Sequence, residues 1–221
     1  MSWESSAEYY RIINTEVKQR LGGLHSAKLV LYSVDFAEIE RLQHSGDWDG
    51  AGVMLADAAA RLERAGAECL VICTNTMHRL AEAITASIQI PLLHIADATA
   101  ARVQAAGVKR VGLLGTKFTM EQEFYRGRLE RHGLEVLVPT ADDRDLVHRV
   151  IYEELCKGEI DSQSRASYEQ IVERLVASGA EGVILGCTEI GLLLKEARVP
   201  LFDTARIHAE AAVAWSLAGG L

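Results

Sequence analysis

The sequence contains no run of lysine or arginine, and its formal net charge is −8. A chain of that balance repels phosphate backbones and anionic lipid surfaces, so nucleic acid and membrane surfaces are excluded as partners. No apolar run approaches the roughly 18 residues that a spanning helix needs. The N-terminus opens on polar MSWESS and carries no secretory pattern. The four cysteines, Cys69, Cys73, Cys156 and Cys187, include no CxxC pair. Cys69 and Cys73 are four apart on an expected strand, so no metal site is read, and the cysteine usage suits a reducing cytoplasm. There is no dinucleotide-binding glycine fingerprint and no P-loop. The 221 residues are 49% hydrophobic and 24% charged, enough to bury one large core or two smaller ones.

One stretch occurs twice. Residues 178–191 read SGAEGVILGCTEIG, and residues 65–76 read AGAECLVICTNT. They align without a gap at an offset of 113 residues, with Ala65 opposite Ser178 and Gly66 opposite Gly179. At that offset Thr74 stands opposite Cys187, Asn75 opposite Thr188 and Cys73 opposite Gly186. Val183, Ile184 and Leu185 are apolar at every position, which marks a buried parallel strand rather than a half-exposed one. A second pairing, IPLLH at 90–94 with VPLFD at 199–203, extends the repeat.

The chain alternates strands with amphipathic helices. Helices are read at 4–21, 47–65, 75–87, 97–106, 119–132, 142–156, 162–178, 188–196 and 205–218, with 35–43 a loop or short helix. Strands are read at 27–34, 69–73, 90–95, 111–114, 134–138, 183–186 and 199–202. This order means an α/β fold with parallel sheets and right-handed crossovers. The repeat also exposes a gap. VGLLGT at 111–116 precedes the first helix of the second half, whereas only Met1 precedes the resembling segment SWESSAEYY. A strand of the same type is therefore expected ahead of residue 1, with the true start about nine residues upstream, the length of one strand and its turn.

Reactive groups of open α/β folds sit at the carboxyl ends of strands, beside the next helix start. Cys187 occupies such an end, and a helix N-terminus there is expected to lower its pKa. Thr74, Asn75 and Thr76 form the facing strand end, with side chains that also cap helices well. Thr116 and Thr119 flank the end of VGLLGT and can add donors. Strand alternation points Cys73 into the core if Thr74 faces the cleft, which leaves Cys73 the less favoured catalytic group. Cys69 and Cys156 read as structural thiols, and His78, His94 and His208 as isolated packed or surface residues.

Cys-Thr-Asn-Thr at 73–76 and Gly-Cys-Thr-Glu at 186–189 resemble the paired signatures of the aspartate/glutamate racemase family, and especially its aspartate and broad-specificity amino-acid branch. SWES, SVDFAEIE at 33–40, HIADAT at 94–99 and GCTEIGLLL at 186–194 carry the resemblance across the chain. It implies two pseudo-symmetric three-layer α/β domains, 1–97 plus 206–221 and 98–205, the first lacking its first strand. It also implies one active site in the interdomain cleft, no cofactor, a cytoplasmic homodimer and an amino acid as the small-molecule partner. Racemisation then proceeds by proton abstraction and return at Cα, with Cys187 and Thr74 on opposite faces. Asn75, Thr76, Thr116, Thr119, Thr188 and Glu189 would bind substrate. Relatives with two catalytic cysteines carry one at the position of Thr74, so activity favouring L-substrates is expected here. Gln43 and Lys157, with Arg41 less favoured, stand where dicarboxylate-specific relatives carry distal basic groups, which implies that neutral side chains are also accepted. Rival readings are a decarboxylase of the arylmalonate type and a non-catalytic amino-acid-binding protein.

Overall fold

The computed structural model describes residues 1–219. They form two compact units. One comprises Met1–Cys73, Met77–His94 and the residues from His208 on; the other comprises Thr74–Thr76 and Ile95–Ile207.

The first unit begins with helix α1 (Trp3–Leu21). The Ser2 side chain accepts from the Ser5 N–H at 3.1 Å, satisfying one of the donors that a helix start leaves open. Helices α2 (Phe36–Ser45) and α3 (Trp48–Arg64) follow, capped by Asp35 and Asp47. Gly46, at φ 75°, makes the turn between them in the left-handed region that glycine enters without strain. A two-stranded parallel sheet comes next, β1 (Leu70–Val71) and β2 (Leu92–Leu93), with Leu70 opposite Leu92. Between the strands lie a 3-10 turn (Thr76–Leu80) and α4 (Ala81–Thr85). Ile39, Ala51, Leu55, Met77 and Ile84 pack into this unit's core.

The second unit contains α5 (Ile95–Ala105), β3 (Arg110–Gly115), α6 (Lys117–Glu121), α7 (Glu123–Arg131), β4 (Glu135–Leu137) and α8 (Ala141–Glu153). After a 3-10 turn (Leu155–Lys157) come α9 (Ser162–Ala177), β5 (Gly182–Gly186), α10 (Ile190–Leu193) and β6 (Leu201–Asp203). Helix α11 (Thr204–Leu217) begins in this unit and ends in the first. The sheet order is β4-β3-β5-β6, parallel throughout. Val183 and Ile184 are fully buried, as a strand covered on both faces must be, and each such side chain contributes about 1.5–3 kcal/mol of transfer free energy.

The internal repeat holds at the level of register. Leu70 pairs with Leu92 and its counterpart Val183 pairs with Leu201. The Leu70 N–H donates to Pro91 O at 2.9 Å, and the Val183 N–H to Pro200 O at the same distance. The helix ends ahead of these strands match as well. Gly66 (φ 90°) and Gly179 (φ 100°) turn the chain, and Ala67 and Ala180 each donate back to a leucine five residues earlier.

Some elements differ from their sequence reading. Residues 27–34 join no ladder: a strand is stabilised by its neighbours, and this segment is held at one end by Ala27 N–H donating to the Asn14 side chain at 3.0 Å. The expected helix 119–132 is split at Gln122, whose backbone is extended (φ −96°, ψ 148°). The helix after Cys187 is four residues long rather than nine. The segment 75–87 opens with a 3-10 turn, and the segment read as a loop or short helix at 35–43 is a helix from Phe36 to Ser45 with Asp35 as its cap.

The three histidines read as isolated come together in the first unit. The His78 and His94 rings lie 4.5 Å apart, and His78 and His208 5.7 Å apart. His208 Nε2 donates to Leu93 O at 2.8 Å. In the neutral ring Nδ1 is then the acceptor, and it receives the Tyr9 hydroxyl at 2.9 Å. Burial lowers the His208 pKa to about 4, opposed by the bond to Leu93 O. Because the folded value lies below the unfolded one, near 6.5, this histidine costs nothing above pH 6.5 and destabilises as the pH falls toward 4. The expected loss is about 3 kcal/mol over that window. Urea denaturation of the wild type and of His208→Gln at pH 7.5 and 4.5 measures it; the variant should lose less stability on acidification. Equal losses in the two proteins would assign the acid sensitivity elsewhere.

Candidate active site

Seven of the residues singled out from sequence, Asn75, Thr76, Thr116, Thr119, Cys187, Thr188 and Glu189, fall into short hydrogen-bonded groups. Cys187 follows the last residue of β5, and its Sγ–H donates to Glu189 Oε2 at 3.0 Å. The Thr188 hydroxyl donates to the same oxygen at 2.7 Å. Glu189 is buried, so its carboxylate is held by two local donors instead of by solvent. Burial pushes the Cys187 thiol well above its ordinary pKa, and Glu189, then Cys156, push it further; a backbone hydrogen bond opposes them weakly. This reverses the expectation of a thiol acidified by a helix start. The four-residue α10 supplies little dipole, whereas the adjacent carboxylate supplies a full negative charge.

The strand ends themselves are tightly apposed. Gly115 on β3 pairs with Gly186 on β5. A Cβ on Gly186 would stand 2.8 Å from Leu114 O and 3.2 Å from Thr119 Cγ2. Two glycines therefore let the backbones close immediately before Thr116 and Cys187.

Beside Gly115, Thr116 caps α6 and continues a chain of hydroxyls. Thr76 Oγ1 and Thr116 Oγ1 are 3.1 Å apart, and Thr116 Oγ1 and Thr119 Oγ1 3.2 Å apart; all three residues are buried. Asn75, also buried, donates through Nδ2 to Thr204 Oγ1 at 3.0 Å. The Thr204 hydroxyl proton goes to Leu185 O at 2.8 Å, so toward Asn75 this oxygen only accepts. That fixes the amide orientation and leaves Asn75 Oδ1 buried without a hydrogen-bond partner. An unmet buried acceptor of this kind is a place for a donor from outside the chain.

Thr74, Asn75, Thr76, Thr116, Thr119, Cys187, Thr188 and Glu189 all belong to the second unit, with Thr74 and Cys187 half-buried. Lys157, in the same unit, is exposed at the end of the 3-10 turn after α8. Gln43 is buried on α2 in the first unit, and Arg41 on the same helix is exposed. Cys73 belongs to the first unit, half-buried, with its pKa pushed up to about 11 by burial; the Met1 ammonium opposes the shift. Thr204 escaped the sequence reading. Its role depends on contacts to Asn75 and Leu185, 129 and 19 residues away. Among the described residues no group of three or more potential ligands is arranged to hold a metal ion, and no helix is long and apolar enough to cross a membrane.

Residues 1–212 match the family model described as Asp/Glu/Hydantoin racemase. The chain belongs to this racemase family. It is 56% identical to a putative Asp/Glu racemase from Yersinia pestis of known structure, with a TM-score of 0.91 over 98% of this chain and 96% of that one. An aspartate racemase homologue from Pyrococcus horikoshii is 35% identical, with a TM-score of 0.82 over 97% and 94% of the two chains. Among characterised sequences, the broad-specificity amino-acid racemase RacX of Bacillus subtilis is 24% identical over 181 residues, 78% of this chain and 75% of that protein.

Proposed function

We propose that this chain is a cofactor-independent amino-acid racemase in which Cys187 exchanges the Cα proton of L-substrates and Thr74 serves the opposite face. The observation that carries the reading is the Cys187–Glu189 pair at the end of β5, a half-buried thiol donating to a buried carboxylate at 3.0 Å. A base for a weakly acidic Cα–H must be basic and able to lose its own proton on demand. A thiol meets both needs, and the raised pKa makes its thiolate the stronger base once formed. Glu189 lies within reach to accept the Sγ proton. The substrate ammonium, brought alongside, would favour the thiolate in the same way that Glu189 disfavours it.

Asn75 Oδ1 is the acceptor suited to that ammonium, and the hydroxyls of Thr76, Thr116 and Thr188 suit the α-carboxylate, whose charge grows as the proton leaves. A threonine hydroxyl at position 74 can relay or donate a proton but is a poor base, so exchange should be faster from the L-enantiomer. By the resemblance, Gln43 and Lys157 stand where dicarboxylate-specific relatives carry basic groups, and this weaker pair of residue types supports turnover of aspartate or glutamate together with some neutral amino acids. A cytoplasmic homodimer completes this reading, by resemblance to the family.

The test is deuterium incorporation at Cα from D₂O across matched L- and D-amino acids, followed by mass spectrometry. L-aspartate or L-glutamate should exchange faster than its enantiomer, and at least one neutral amino acid should exchange too. Binding without exchange on any substrate would sink the racemase reading in favour of an amino-acid-binding protein. Loss of carbon dioxide without Cα exchange would favour a decarboxylase.

A further inference from the structure

Thr204 is the first residue of α11 and is fully buried. Its hydroxyl does not cap the helix. Asp203 Oδ1 accepts from the first N–H groups of α11 instead, Ala205 at 3.0 Å and Arg206 at 3.1 Å. The internal repeat supplies a comparison. With 90–94 opposite 199–203, Ile95 stands opposite Thr204. Each opens the helix after a parallel strand, and both are fully buried. The same place in the repeat is therefore filled by an aliphatic side chain, so the fold itself does not require a hydroxyl there.

What the hydroxyl serves is Asn75. Thr204 Oγ1 gives its proton to Leu185 O at 2.8 Å, beside the last pair of the β5–β6 ladder, and accepts from Asn75 Nδ2 at 3.0 Å. The reverse amide orientation would set Asn75 Oδ1 against an oxygen whose proton is already committed. Thr204 could donate to it only by leaving Leu185 O unmet. Reversal therefore costs a buried hydrogen bond either way. The observed orientation leaves Oδ1 buried and unpartnered, so it offers a ligand an acceptor. The reverse would offer it two N–H donors.

We propose that Thr204 is a positioning residue that sets specificity: by holding the Asn75 amide with Oδ1 free, it selects acids that bear an α-ammonium over the same acids with a 2-oxo group or a plain methylene at that carbon. An ammonium offers only donors and a 2-oxo group only acceptors, so the one amide orientation that receives the first turns away the second. Thr204 acts through Asn75 and need not touch the substrate. The inference deepens the racemase reading and rests on its assignment of Asn75 Oδ1 to the substrate ammonium. Its readout is binding, so a failure of the racemase reading, which shows as absent Cα exchange, is distinct from a failure here.

The probes are matched acids that differ only at the α-carbon: L-glutamate, glutarate and 2-oxoglutarate, with L-aspartate and succinate as a shorter pair. Kd is measured by titration calorimetry on the full chain. Wild type should bind L-glutamate or L-aspartate about tenfold or more tighter than glutarate or succinate. Thr204→Val, similar in shape but without the hydroxyl, should erase most of that preference by weakening the amino acid. It should leave glutarate and succinate unchanged and bind 2-oxoglutarate more tightly than wild type does. Thr204→Ser should restore the wild-type preference. Should Thr204→Val fail to fold, Thr204→Cys, whose thiol donates and accepts only weakly, carries the same comparison. Asn75→Leu should also lose the preference, and adding Thr204→Val to it should change the preference no further, because the two act as one unit. If Asn75→Leu loses the preference while Thr204→Val and Thr204→Cys keep it, the positioning role is overturned and the assignment of Asn75 stands. A preference that survives Asn75→Leu overturns both, and so does a wild type that shows none.

Discussion

Cys187→Ser should lower Cα exchange from L-substrates by on the order of 10³-fold or more while substrate binding and Tm stay close to wild type. Serine is nearly isosteric and keeps a donor for Glu189 Oε2, so the hydrogen bond at the end of β5 survives in shorter form. What it removes is basicity. A hydroxyl in the same place, beside the same carboxylate, cannot reach its anion at any working pH. The pH dependence gives an independent reading. Burial and Glu189 hold the wild-type thiol protonated at neutral pH, so kcat/KM should climb with pH into the alkaline range. Glu189→Gln removes a carboxylate that raises the thiol pKa and should move that rise to lower pH. If Glu189 is also the acceptor of the Sγ proton, the plateau rate falls as well, and the two effects separate on one profile. Isotope exchange on wild type and both variants between pH 6 and 10 measures all of this. Most of the wild-type exchange rate remaining in Cys187→Ser would remove the thiol from the mechanism.

The sequence was most legible where two levels of structure agree. The repeated segments carry a glycine turn, an apolar strand and a polar strand end in the same order, and the register of Leu70 with Leu92 and of Val183 with Leu201 follows from that order. Legibility fails where a property depends on partners distant in the chain. The apolar pattern of 27–34 is that of a strand, yet pattern does not supply a ladder, and the segment forms none. His78, His94 and His208 are separated by long intervals, and only the folded first unit brings them together. The direction of the Cys187 shift was misread for a related reason. Sequence proximity suggested a helix start, whereas the two-residue spacing to a buried Glu189 decides the electrostatics. The break at Gln122 has no evident cause in the residue type, since glutamine is a good helix former.

Gly186→Ala is the substitution expected to cost most for the fewest atoms added. The new methyl would meet the backbone oxygen of Leu114 at 2.8 Å, and neither partner can swing aside, because both belong to paired strands. Leu113 Cδ1 and Thr119 Cγ2, each at 3.2 Å, close the remaining directions. The strands must therefore separate at their carboxyl ends, where Leu114 pairs with Leu185 and Gly115 with Gly186. Overpacking of this kind costs about 1–3 kcal/mol. The displacement falls on the next residue, Cys187, and on Thr116 and Thr119 across the pair, so the proton-transfer geometry moves with it. A shift approaching 1 Å there lowers exchange by on the order of 10²-fold. The expected result is a folded, lower-melting protein with kcat reduced far more than its stability loss would produce at 25 °C. Gly112→Ala separates the two effects. Its methyl would meet Leu175 Cδ1 at 2.9 Å, the far end of a side chain that can turn away, in the middle of β3 and away from the strand end. That variant should melt slightly low and exchange at close to the wild-type rate. If Gly186→Ala also exchanges at the wild-type rate, close apposition of β3 and β5 is not what positions the thiol.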